Sequence, residues 1–169
     1  MGGWIAKKSF ESNCIFCGIY KARSNIILET KFFFSQFDKF PASPGHSEVI
    51  PKRHIESVLD LNREEWIDLY DAVHKTIDAI EKTGLKSLYM DFAKDPINKR
   101  AEGFCKLMLT HVGMGRKPDG YNYGINDGRA AGRTIDHLHL HIIPRYFGDV
   151  KDPTGGVRHM LPGMGNYKK

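Results

Sequence analysis

This sequence predicts an α+β fold, an antiparallel sheet of about five strands packed against helices. Three observations carry that reading. Five short aromatic or β-branched runs are bounded by turn residues. A long amphipathic helical pattern lies mid-chain. The order runs strand, strand, helix, helix, strand, strand, which favours an antiparallel sheet with its helices on one side. The 169 residues fit a single domain, 1–169.

Cys14 to Arg23 has the composition of a short helix or turn. Ile26 to Leu28 and Phe32 to Phe37 read as strands, separated by Glu29-Thr30-Lys31 and closed by Asp38-Lys39. Pro41-Ala42-Ser43-Pro44-Gly45 is a loop. His46 to Pro51 is a short strand with His46, Glu48 and Ile50 on one face. A helix is predicted over 63–83. Asn62 and Glu65 form its capping box, Leu61 staples onto Trp66, and Gly84 stops it. Trp66, Leu69, Tyr70, Val73, Ile77 and Ile80 form its buried stripe.

A second helix is expected to start at Pro96 behind an Asp95 cap, with Ile97, Ala101, Phe104, Cys105 and Met108 on its apolar face. His111 to Gly120 is loop. Tyr121 to Asn126 is a strand, Asp127 to Arg133 a tight Gly/Ala turn and Ile135 to Pro144 a strand. The remainder, from Arg145 to Lys169, is mostly irregular by its glycines and prolines.

Composition narrows the classes. Hydrophobic residues are 41% and charged residues 27%, which excludes wholesale disorder. No apolar run is long enough to cross a bilayer. The first residues carry no apolar signal core, and Ala6 stands where a myristoylation motif wants Ser or Thr. Three cysteines make no disulfide scaffold, so a reducing, cytoplasmic setting is expected. The net charge of +5 suits an anionic ligand without arguing for nucleic acid.

The most informative segment is Thr134-Ile135-Asp136-His137-Leu138-His139-Leu140-His141-Ile142-Ile143-Pro144-Arg145. On a strand, His137, His139 and His141 share one face while Leu138, Leu140 and Ile142 share the other. The apolar set must be buried, so the imidazoles face a cleft. Two chemistries fit them: a trihistidine zinc centre, or a nucleophilic imidazole on an anion-binding face. Three imidazoles straight along one strand span too far to converge easily on one tetrahedral ion.

Cys14-x-x-Cys17 is the second signal. It reads as a redox pair lacking its usual context, as half of a zinc site that could recruit His54 and His137, or as two small buried hydrophobes. Cys105 belongs to a helix core face.

These residues resemble the histidine-triad (HIT) superfamily of nucleotide hydrolases and transferases. The His-φ-His-φ-His-φ-φ motif is complete at His137 to Ile143. Asn126-Asp127-Gly128-Arg129-Ala130-Ala131-Gly132 is similar to the family's phosphate-contacting turn, and Pro44-Gly45-His46 with Ile50-Pro51-Lys52-Arg53-His54 to its second signature. The run from Gly148 to Arg158 looks like the branch of dinucleoside-polyphosphate hydrolases and fragile-histidine-triad proteins. The likeness covers about 12–84 and 120–160 and leaves a helical, basic insertion at about 85–118.

The resemblance implies the HIT fold, a homodimer and a set of roles. His139 attacks the α-phosphorus and forms a nucleotidyl-histidine. His141 and Asn126 hold phosphate oxygens, Thr134 adds a hydroxyl donor, and His46 supports the histidines. Asp38 receives the ribose hydroxyls. Cys14, Cys17, His54 and His137 hold a structural zinc in members that carry one. Two departures stand out. Arg133 replaces the usual Gln before Thr134, where it would grip a longer polyphosphate or point away. Glu48 lies where the family continues with apolar residues, and it reads as a solvated edge residue or as a base-reading carboxylate. The implied substrates are dinucleoside polyphosphates or nucleoside phosphoramidates. The alternatives are a nucleotide-binding interaction protein with little turnover, a simple metalloenzyme, and nucleic-acid 5′-end processing. The last finds support in Lys94, Lys99, Arg100, Lys106, Arg116 and Lys117.

Overall fold

The computed structural model describes residues 10–161 and residue 165. The expectations for the first residues, and part of that for the irregular C-terminal stretch, lie outside the described residues. A short helix, α1 (Ile15–Ala22), opens the fold. Strands β1 (Leu28–Glu29), β2 (Phe33–Phe37) and β3 (Ser47–Pro51) follow. Next come helices α2 (Arg63–Lys82), α3 (Leu85–Lys94) and α4 (Lys99–Leu109). Strands β4 (Gly120–Gly124) and β5 (Leu140–Arg145) complete a five-stranded antiparallel sheet in the order β1-β2-β3-β5-β4. The α+β expectation therefore holds.

Strand alternation divides the sheet into two faces. Phe33 and Phe37 of β2, Val49 of β3 and Ile142 of β5 join Leu69, Ala72 and Ile80 of α2 in the main core. The opposite face buries Phe34 and Ile50 under Phe16 of α1. That face also carries Gln36, Glu48 and His141. These three form one register row, because Gln36 pairs with Glu48 and Glu48 with His141. Helix α1 thus covers one end of the polar face and leaves this row beside it.

Helix α2 begins as its sequence demands. The Asn62 side chain accepts from the Glu65 amide at 3.0 Å, and Glu65 accepts from the Asn62 amide at 2.8 Å. The Glu65 carboxylate also takes the Arg53 guanidinium through two nitrogens, at 2.5 and 2.7 Å. The buried stripe is shifted from expectation. Leu69, Ala72, Thr76 and Ile80 are buried, whereas Trp66 and Tyr70 are exposed. Trp66 therefore cannot act as a buried staple partner for Leu61. Thr76 enters the core because its hydroxyl donates to the Ala72 carbonyl at 2.7 Å, which satisfies its polar atom.

The insertion departs most from the sequence reading. It holds two helices, α3 and α4, and Asn98 caps the second by accepting from the Ala101 amide at 2.9 Å. Pro96 and Ile97 precede that helix, and Ile97 is exposed; Ala101, Cys105 and Met108 are buried as expected. Helix α3 is anchored by Tyr89, fully buried, whose hydroxyl oxygen accepts from the Gly45 amide at 2.8 Å. Gly45 has φ +88°, and a Cβ there would lie 2.7 Å from Ile80, so only glycine fits the turn before His46. The last strand also starts later than expected. Ladder pairing begins at Leu140, so His137 and His139 stand on the extended lead-in rather than within β5. A single helical turn at Gly156–Met160 orders part of the C-terminal stretch expected to be irregular.

Candidate active site and metal centre

The three histidines of the motif divide between two sites. His137 is fully buried and turns towards α1. Its Nε2 lies 2.9 Å from the Pro51 carbonyl oxygen, an acceptor, so the proton belongs on Nε2 and the Nδ1 lone pair is free. Nδ1 lies 3.2 Å from Cys14 Sγ and 3.7 Å from Cys17 Sγ, and His54 Nδ1 lies 3.5 Å from Cys17 Sγ. The four donor atoms all fall within 4.8 Å of one another. A tetrahedral ion with bonds of about 2.0–2.3 Å to nitrogen and sulfur spaces its ligands by roughly 3.3–3.8 Å, so the donor set suits zinc. Burial lowers His137 to about 4, which keeps the imidazole neutral, and burial raises the Cys17 thiol. A thiolate there needs a cation to hold it. The carbonyl behind His137 is the outer partner that a metal-ligating imidazole requires.

His139 and His141 face the polar row. His139 Nδ1 lies 2.7 Å from the His137 carbonyl oxygen, again an acceptor, so its proton sits on Nδ1 and Nε2 offers a lone pair. Phe16 packs tilted on this ring, with centroids 5.2 Å apart. His46 fixes His141 in the opposite sense. The Ala42 amide donates to His46 Nδ1 at 3.1 Å, which puts the His46 proton on Nε2. That Nε2 lies 3.0 Å from His141 Nδ1 and donates to it, leaving His141 with its proton on Nε2. Burial, with some help from neighbouring imidazoles, lowers His141 to about 4; burial also lowers His46, which Asp38 partly offsets. The result is a lone pair on one imidazole beside an N–H donor on the next. A phosphorus electrophile with anionic oxygens matches that pair.

Asp38 ends β2 beside this cluster. One carboxylate oxygen accepts from the Phe40 amide at 2.7 Å, and the other lies 3.4 Å from His46 Nδ1. It stands next to the histidines, and part of its hydrogen-bonding capacity already shapes the loop before His46. Asn126 is half-buried two residues past Gly124, which pairs with His141 in the ladder. Thr134 is exposed and lines a surface hollow with Cys14, His54 and Glu56. The Arg133 guanidinium holds the Glu56 side chain at 2.8 Å and backbone carbonyl at 3.1 Å, with Asp136 3.1 Å away.

Glu48 is not the solvated edge residue that the sequence allows. It is buried, and its Oε2 accepts from Gln36 Nε2 at 2.7 Å. Gln36 escaped sequence reasoning, yet the signal was present: two-residue alternation from Phe34 places it on the face of Asp38. Phe16, which touches both His137 and His139, had no comparable signal, because only tertiary packing lays α1 over the sheet.

The basic insertion proves less cationic than its composition. Lys94, Lys106, Arg116 and Lys117 are paired with Asp91, Glu102, Asp119 and Glu81 respectively. Arg100 lies over the Phe104 ring, 5.9 Å from its centroid.

Comparison with known proteins places these observations among relatives. A family model described as the HIT domain matches residues 20–148. The chain is 30% identical over 142 residues to an adenosine 5′-monophosphoramidase of Saccharomyces cerevisiae, covering 83% of this chain and 67% of that one. It is 30% identical over 123 residues to a bis(5′-adenosyl)-triphosphatase of Dictyostelium discoideum, covering 73% of this chain and 61% of the relative. Among solved structures it is similar to a member of the HIT family from Bacillus subtilis, with TM-score 0.56, 29% identity, and 82% of this chain and 77% of the other covered.

Proposed function

The chain belongs to the HIT domain family, and on that footing we propose that it cleaves nucleoside phosphates at the α-phosphorus through a covalent nucleotidyl-histidine on His139. One observation carries the reading most strongly: opposed hydrogen bonds leave a lone pair on His139 Nε2 beside an N–H on His141 Nε2. In the first step His139 Nε2 attacks phosphorus, a P–N bond forms, and the bond to the leaving group breaks. A polyphosphate departs as a stable anion. An amine leaving group takes a proton from water. The His137 carbonyl holds the Nδ1 proton and so stabilises the imidazolium that forms. His141 donates to a phosphate oxygen on which charge builds. Water then attacks phosphorus and gives up a proton to solvent, the P–N bond breaks, and the nucleoside monophosphate leaves with His139 restored as the neutral imidazole with its proton on Nδ1. Splitting one displacement into two is worthwhile because imidazole is both a good nucleophile and a good leaving group.

The named activities of the two relatives, a phosphoramidase and a triphosphatase, motivate phosphoramidates and dinucleoside polyphosphates as substrate classes. Asp38 and Asn126 are the residues we assign to nucleotide binding beside the histidines. We further assign a structural zinc to Cys14, Cys17, His54 and His137. With all four positions filled by protein, its chemistry is to tie α1 to the segment that carries His139.

The test is direct. A substrate labelled at the α-phosphate, quenched in alkali within milliseconds, should leave label on the native protein and none on His139→Asn. The variant should lose turnover by about 10⁴-fold or more, given how nucleophile removal acts in covalent catalysis. Turnover by His139→Asn near the native rate would overturn the assignment.

A further inference from the structure

The carboxyl of Glu48 has no role in the mechanism just derived, yet it stands beside the histidines that carry that mechanism. It stands between Gln36 and His141 in the register row across β2, β3 and β5. One of its oxygens lies within 4.8 Å of a ring nitrogen of His139 and of one of His141. Only 6% of Glu48 and 5% of Gln36 is exposed. The Gln36 amide donates to one carboxyl oxygen at 2.7 Å, which orients the group and leaves its other oxygen uncommitted to that amide.

We propose that Glu48 is a further substrate-binding residue, a carboxylic acid that donates a hydrogen bond to the anionic nucleotide from beneath the histidines. The inference rests on the reading that this cleft takes a nucleotide's α-phosphate. A phosphate held by His139 and His141 has its oxygens near Glu48, because one carboxyl oxygen lies within 4.8 Å of a nitrogen of each ring. A carboxylate there would repel them at close range and low dielectric. A carboxylic acid reverses the sign of the contact, since its O–H is a donor.

The surroundings supply the means. Burial first, and the negative Asp38 second, raise Glu48 to about 8, against the smaller opposing effect of the Gln36 amide. The titratable groups acting on it are Asp38, after β2, and His139 and His141, ahead of and within β5; His46 reaches His141 from the head of β3, and α1 lays the apolar Phe16 on His139. His46 and His141 both lie below the ordinary imidazole range, so neither offers Glu48 a cation at neutral pH.

The probe is AMP, whose phosphate is already dianionic above pH 7 because its second pKa is about 6. Its dissociation constant is measured between pH 7 and 9 on the native protein and on Glu48→Gln. If only the carboxylic acid form binds, the native affinity should fall about tenfold across that interval, following the competent fraction. Glu48→Gln has no proton to lose, and its pH 9 to pH 7 ratio should be near one. Equal falls in both proteins, or no fall in the native, would overturn the proposal. Absence of AMP binding at every pH would overturn the functional reading itself. Should Glu48→Gln fail to fold, carbon-13 labelling of glutamate side-chain carboxyls in the native protein gives the answer. One carboxyl carbon should titrate near pH 8 and shift to higher pH with AMP; none titrating above pH 7 would equally overturn it.

Discussion

At the residue scale, the site is a problem in proton placement. Four imidazoles have their tautomers set in turn: the Pro51 carbonyl sets His137, the His137 carbonyl sets His139, the Ala42 amide sets His46, and the His46 ring sets His141. No free histidine would hold these four states at once. Glu48 has a consequence for stability as well as binding. Its pKa is about 8 in the fold against about 4.3 unfolded. A raised folded pKa means the unfolded chain releases its proton first. Stability from this group is therefore fully present below about pH 4.3 and is lost as pH rises to about 8. Glu48→Gln lacks the loss. Its advantage over the native protein in urea unfolding should grow from pH 5 to pH 8, by on the order of 2–4 kcal/mol, and then level off. A difference independent of pH would show that the carboxyl is ionised in the fold.

Elements carry the next level of argument. Helix α1 has only eight residues, too short to be stable by itself, and Cys14 supplies it with no side-chain cap. Its attachment comes from Phe16 against the sheet and from the cysteine-histidine cluster. Cys14→Ser should therefore lower the melting temperature by several degrees and abolish one bound zinc per chain on elemental analysis. The chemical rate with saturating substrate should change far less. Purified native protein with no zinc would remove this attachment. Helix α2 depends on Glu65, which serves the capping box and Arg53 together. Glu65→Ala breaks both and leaves Arg53, about one third exposed at its side chain, without its carboxylate. The expected loss is about 2 kcal/mol by urea unfolding. Glu65→Gln keeps part of the capping box and should lose less.

For the whole molecule, the insertion and the active site are one mechanical unit. The loop before His46 is held from three sides: Tyr89 of α3 accepts from the Gly45 amide, Ser43 donates to the Pro144 carbonyl at 2.6 Å, and Tyr146 donates to the Pro44 carbonyl at 2.9 Å. The His46 imidazole, which sets His141, hangs on that loop. Tyr89→Phe leaves a buried amide unsatisfied and should destabilise the protein by about 1–2 kcal/mol. It should also lower kcat more than it raises KM, because the loop positions His46 rather than the nucleotide. A stability loss with unchanged kcat would confine the insertion to a packing role. Among the described residues no helix is long and apolar enough to cross a membrane.

Local pattern alone determined a good part of this protein. Alternation set Leu138 and Ile142 in the core, Asn62 with Glu65 placed the start of α2 at the right residue, and the motif residues selected the family. Such signals are legible because capping, strand pleat and motif spacing act over a few residues. Tertiary structure decided the rest. The outward turn of Trp66 and Tyr70 depended on where α2 meets the sheet, which helical periodicity cannot orient. Helix α3 was hidden behind Gly84, since its hold on the fold is the distant Tyr89–Gly45 contact. Arg133 was claimed by Glu56, 77 positions away in the chain. Glu48 was buried because β2 and β5 close over both sides of β3 and bring Gln36 and His141 to it. Charge and burial at a site are set by neighbours remote in sequence, and those neighbours exist only once the sheet is assembled.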